Sequence, residues 1–102
     1  MLAKIYMLRF TNVNDARHAA TFIADGMVDL ISAFNINGLT ILLRKEGTVQ
    51  MIARFDDQAD FQRVQANRPT IVGDIQKRFP CIVEDVAAIT VYSYEREAMA
   101  TV

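Results

Sequence analysis

The chain has 102 residues, 52% hydrophobic and 23% charged, which is the size and balance of a single soluble globular domain. Its 11 basic and 12 acidic side chains leave a net charge of −1, so there is no electrostatic footprint for nucleic acid or an anionic membrane. Cys81 alone excludes an internal disulfide and fits a reducing, cytoplasmic compartment, and no apolar run approaches the roughly 18 residues of a spanning helix.

Ala3 to Phe10 reads as the first strand. Ile5, Tyr6, Met7 and Leu8 are apolar on both faces, as in a central strand covered on both sides. The segment carries Lys4 and Arg9 inside its apolar run and no small-residue cleavage site follows, so it is not read as a signal peptide. Asn14 is the expected N-cap of a helix from Asp15 to Phe34. Ala16, Ala20, Ile23, Met27, Leu30, Ile31 and Phe34 form its apolar stripe, and Asn35, Asn37 and Gly38 supply stop and turn chemistry.

Leu39 to Phe55 reads as a hairpin closed by Lys45-Glu46-Gly47, with glycine at the left-handed loop position. This pairs Leu43 with Val49, Ile41 with Met51 and Leu39 with Ala53. Those residues, with Phe55, make a core face. Thr40, Leu42, Arg44, Thr48, Gln50, Ile52 and Arg54 make the opposite, mixed face.

A second helix begins after Asp56-Asp57, with Phe61 and Val64 inward. Pro69 predicts a break or kink near Asn67, followed by a shorter helix through Ile71, Val72, Ile75 and Phe79. The last strand is expected at about Val86 to Glu95.

The order β-α-β-β-α-β, with right-handed crossovers, gives an α+β ferredoxin-like fold. The first and third strands are central in an antiparallel sheet, and both helices lie on one face. The other face is left uncovered, with Leu42, Ile52, Thr90, Tyr92 and Tyr94 on it. The first strand adds either Tyr6, Leu8 and Phe10 or Ile5 and Met7. Monomers rarely expose that much apolar surface, so a homodimer through this face is expected. Glu95 or Glu97 of the second chain are candidate partners for Arg54 and Gln50 at the seam.

Several features together resemble a known family. Asn37-Gly38-Leu39 enters the hairpin, and Ala53-Arg54-Phe55-Asp56-Asp57 leaves it. A helix with an early aromatic, Phe61, follows, and then the aromatic-rich Ile89-Thr90-Val91-Tyr92-Ser93-Tyr94. This resembles the antibiotic biosynthesis monooxygenase type of the dimeric α/β-barrel superfamily, over about Ala3 to Glu95. The resemblance is one of pattern and order. It implies two subunits packed sheet to sheet into a barrel, each able to hold a small ligand between its sheet and its second helix. It further implies cofactor-independent oxidation of a small aromatic or quinol-like molecule. In that reading Arg54 or Tyr92 stabilises the substrate anion and Asn67 orients it. Tyr6, Gln50, Arg68 and Thr90 are candidate ligand contacts. Haem-degrading members resemble each other in an Asn, a Trp and a His in the pocket. This chain has no Trp, and His18 lies on the first helix, so haem degradation is not expected.

The bland readings are solvated surface for His18, a small half-buried hydrophobe for Cys81, dimer seam for Arg54, Gln50 and Tyr92, and break polarity for Asn67 and Arg68. No metal or cofactor is expected, since one His and one Cys offer no ligand cluster. A copper chaperone would need Cys-x-x-Cys after its first strand, and an RNA-recognition sheet would need stacking aromatics where Val49-Gln50-Met51-Ile52-Ala53 stands. An acylphosphatase would need glycine in Thr11-Asn12-Val13-Asn14. The class that stands beside the enzyme is a non-catalytic small-ligand-binding or assembly module.

Overall fold

The computed structural model describes residues 2–94, without the side chains of residues 68–71. Its elements are β1 (Leu2–Arg9), α1 (Val13–Phe34), β2 (Gly38–Leu43), β3 (Thr48–Phe55), α2 (Gln58–Arg78) and β4 (Ile82–Ile89). The sheet order is β2-β3-β1-β4, every pairing is antiparallel, and both helices cover one face. This is the ferredoxin-like arrangement expected from the element order.

The hairpin register agrees with the sequence reading. Leu39 faces Ala53, Ile41 faces Met51 and Leu43 faces Val49. The Arg44 N–H donates to the Thr48 carbonyl at 2.9 Å and Gly47 takes φ +96°. That backbone conformation is why a glycine stands there. Gly47 also tucks under the start of α1. Its carbonyl accepts from the Phe10 N–H at 3.0 Å, and an added Cβ would lie 3.1 Å from the Asn12 carbonyl carbon.

The ladder decides the question left open for the first strand. Tyr6 faces Met51 and Leu8 faces Val49, so Tyr6, Leu8 and Phe10 belong to the helix-covered face and are buried there. Ile5 and Met7 belong to the open face, opposite Ile52 and Gln50. The covered side holds the main core, where Val49, Met51, Ala16, Ala19, Ile23 and Met27 meet. A second cluster, Ala53, Phe55, Phe61 and Val64, continues it, with the Phe55 and Phe61 rings edge to face at 5.9 Å.

Three element boundaries correct the sequence reading. The N-cap of α1 is Asn12, not Asn14; its side chain accepts from the Asp15 N–H at 2.9 Å, so the helix starts earlier. The expected break near Asn67 does not occur, because α2 is a single helix of 21 residues. Proline removes one backbone donor, and the burial of Val64, Val72 and Ile75 on either side holds the helix through that gap. The last strand is Ile82–Ile89 rather than Val86 to Glu95. Its pairing with β1 has Leu2 opposite Ile89, and Thr90 to Tyr94 lie beyond that ladder. Glu95 and Glu97, suggested as seam partners, lie outside the described residues.

Candidate functional site

On the covered face of β1, Lys4 stands between Ala53 of β3 and Ala87 of β4. These small neighbours leave room for a long side chain to lie under α2. Lys4 is only 4% exposed, and its Nζ is 2.6 Å from Asp85 Oδ2. Asp85 is itself mostly buried and sits one strand over, beside Tyr6. The Lys4 ammonium also donates to Gln65 Oε1 from α2, and it lies 5.9 Å from the centre of the Tyr6 ring. Sheet and second helix thus enclose a cation, a carboxylate, an amide and a phenol ring in an otherwise apolar interior. An ammonium held by a carboxylate and an amide in such surroundings is fixed in position, and its charge is answered within the interior by Asp85. Only about 20 Å³ is free beside Tyr6, in a void walled by Met27, Leu30, Met51, Phe55 and Val64.

The candidate residues from the sequence fall in separate places. Gln50 and Arg54 are half-buried on the open sheet face, with Ile5, Met7 and Ile52. The Arg54 guanidinium lies across Gly38, where an added Cβ would overlap it. Tyr6 is on the opposite side of the sheet, in the interior just described. Thr90 is half-buried and Tyr92 is 84% exposed, both past the end of β4. Asn67 is exposed on α2, with its Nδ2 donating to the Arg63 carbonyl at 2.8 Å. Arg68 lies on α2, and its side chain is outside the described residues.

Lys4, Asp85 and Gln65 were not among the sequence candidates. The signal for Lys4 was its parity with Tyr6 and Leu8 along one strand. Asp85 escaped because the last strand was expected to begin one residue after it.

The loops that join the layers are fixed by asparagines. Asn35 ends α1 in the left-handed region at φ 52°, and its Nδ2 donates to Asp60 at 3.1 Å. The Arg63 guanidinium at 2.7 Å, and then Asn35, hold the Asp60 carboxyl below its usual value. Asn37 bonds to Asp56 through both its Nδ2 (2.8 Å) and its Oδ1 (3.0 Å), tying the start of β2 to the end of β3. Burial pushes the Cys81 thiol up. Among the described residues no group of three or more His, Cys, Asp or Glu is placed to hold a metal, and no helix is long and apolar enough to cross a membrane.

Three solved structures share this arrangement closely. A dimeric ferredoxin-like protein from an uncultured marine organism is 16% identical, with TM-score 0.69 over 93% of this chain and 98% of its own. A monooxygenase of Streptomyces coelicolor, solved with the ligand nanaomycin D, is 9% identical, with TM-score 0.72 over 94% of this chain and 92% of its own. A Deinococcus radiodurans protein described as a candidate antibiotic biosynthesis monooxygenase is 11% identical, with TM-score 0.59 over 96% of this chain and 100% of its own. No family model matches the chain, and no curated protein matches it. At these identities the similarity shows the fold: the chain is built like the antibiotic biosynthesis monooxygenases and the dimeric ferredoxin-like proteins.

Proposed function

We propose that this chain is a homodimer of the dimeric α/β-barrel type, and that it acts as a cofactor-independent monooxygenase on a small phenolic or quinol-like aromatic molecule. The observation that carries the chemistry is the buried Lys4–Asp85 pair under α2, with Tyr6 and Gln65 against it. Support from other proteins is the fold shared with a monooxygenase solved with the ligand nanaomycin D.

The reaction class needs little apparatus. A phenol deprotonates more readily beside a fixed ammonium. Its anion donates an electron to dioxygen, the two radicals join at a ring carbon, and the hydroperoxide loses water to leave a quinone. One oxygen atom enters the ring and the other leaves as water, with the phenolic proton and the hydrogen of the attacked ring carbon, so no external reductant is consumed. Lys4 stabilises the anion, Asp85 holds the ammonium in place, and Gln65 fixes it from the helix side. Because the void beside Tyr6 is so small, α2 must move outward for a ring to reach Lys4.

The homodimer reading rests on the open sheet face. Ile5, Met7, Ile52, Leu42, Val86 and Ile82 lie there without cover from the helices. Val91, Tyr92 and Tyr94, at 95%, 84% and 75% exposure, extend the apolar surface past β4. A second copy would cover this face, with Arg54 and Gln50 at the seam.

A second reading, a non-catalytic small-ligand-binding module, is favoured by the separation of Arg54, Tyr92 and Asn67, which share no site. Oxygen uptake with a panel of phenols, without metal or flavin, distinguishes the two. Turnover that is lost in Lys4→Met with Asp85→Leu, the pair of substitutions expected to keep the fold, supports the enzyme. No uptake above buffer for any phenol, with a small molecule retained unchanged in a native mass spectrum, supports the binder.

A further inference from the structure

We propose that the cleft between α1 and α2 is a separate binding site for a small amphiphile with an aryl or alkyl body and an ammonium head. The cleft has a volume of about 340 Å³. That falls within the roughly 300–1,000 Å³ typical of small-molecule sites. Its floor is apolar: Phe22, Ile23, Met27 and Leu30 come from α1 and Ile75 from α2. Among the described residues its polar side chains are two exposed carboxylates, Asp29 on one helix and Asp74 on the other. Among the described residues neither carboxylate has an ion-pair or hydrogen-bond partner. The Arg78 guanidinium stacks on the Phe22 ring at 4.8 Å and pairs with neither acid.

Gly26 is the second observation. It lines the cleft from the interior of α1, where glycine is less favourable than alanine by about 1 kcal/mol. A Cβ added there meets nothing within 4 Å, so the chain's own packing does not require glycine. In the proposed site the bare backbone at Gly26 leaves that wall of the cleft without a side chain. An apolar trough with unpaired negative charge from both walls fits an occupant whose body is greasy and whose head is positive. No lining residue comes from the sheet, so this site is distinct from the Lys4 cluster and does not depend on the proposed oxidation.

The test uses 4-phenylbutylammonium, its alcohol analogue 4-phenylbutan-1-ol and its carboxylate analogue 4-phenylbutyrate, titrated into the full chain by calorimetry and followed by amide NMR. The ammonium should bind and shift amides of residues 22–30. The alcohol should bind about fivefold more weakly, as expected for loss of two solvent-facing ion pairs, and the carboxylate more weakly still. Gly26→Leu should abolish binding while the melting temperature is kept or raised. The double substitution Asp29→Asn, Asp74→Asn should reduce the ammonium to the alcohol's affinity with the fold unchanged. Equal binding of all three compounds, no binding of the ammonium, or unchanged binding to Gly26→Leu would overturn the site.

Discussion

Lys4 is the residue on which the chemistry turns. Its ammonium is buried with Asp85 and is satisfied by that carboxylate and by Gln65. Removing one member of such a pair leaves an uncompensated charge in the interior, a loss of about 3–5 kcal/mol. Replacing both by apolar groups of similar volume is close to neutral. Lys4→Met should therefore lower the urea midpoint sharply, and Lys4→Met with Asp85→Leu should recover most of the loss. Equal destabilisation by the single and the double substitution would mean that the pair is not coupled. Gly47 makes a different kind of demand. Its positive φ costs any other L residue about 1–2 kcal/mol, and the close approach to Asn12 adds to this. Gly47→Ala should lower stability by about 2 kcal/mol in chemical denaturation, whereas Gly26→Ala should raise it.

At the scale of elements, the helices meet the sheet through a few directed contacts. Asp60 joins the start of α2 to the end of α1 through Asn35, and Arg63, paired with Asp60, donates to the Ala33 carbonyl at 3.2 Å. Its carboxyl is held below the usual 3.8, so the charged form contributes stability above that value. That contribution is lost as the pH falls through the depressed folded value. The gap in melting temperature between wild type and Asp60→Asn should be open at neutral pH and close below about pH 3.8; a gap independent of pH would place the effect elsewhere. The hairpin was fully legible in the sequence, because one glycine and two alternating runs fix a register in which any slip turns the core face to water. The last strand was not. Glu84 and Asp85 fell before the expected start at Val86, yet Glu84 pairs with Arg9 on the open face at 2.6 Å and Asp85 pairs with Lys4 on the covered face. Charge answered by charge on the neighbouring strand is invisible until the strands are aligned. The same gap hid the Lys4 cluster, whereas the aromatic run after Ile89 carried strand propensity without a ladder to join. Pro69 misled in the opposite direction: local chemistry predicted a break or kink near Asn67, and the helix runs on unbroken between buried residues on either side.

For the whole molecule, the account depends on what covers the open sheet face. Sequence parity identified that face, and the ladder with β3 then placed Ile5 and Met7 on it. At about 25 cal/mol per Å² of apolar area, a few hundred Å² buried per subunit supplies several kcal/mol of gross driving force. Part of that offsets the entropy lost on association. A two-fold axis would make the patch self-complementary and bring Ile52, Arg54 and Gln50 to the seam. Ile52→Asp places an unpaired charge there and should give monomer or aggregate. The most direct measurement is sedimentation velocity of the wild-type chain at micromolar concentration. The account predicts a single species with the mass of two chains, converted to monomer or aggregate by Ile52→Asp. A wild-type chain that sediments as a monomer at that concentration would contradict it.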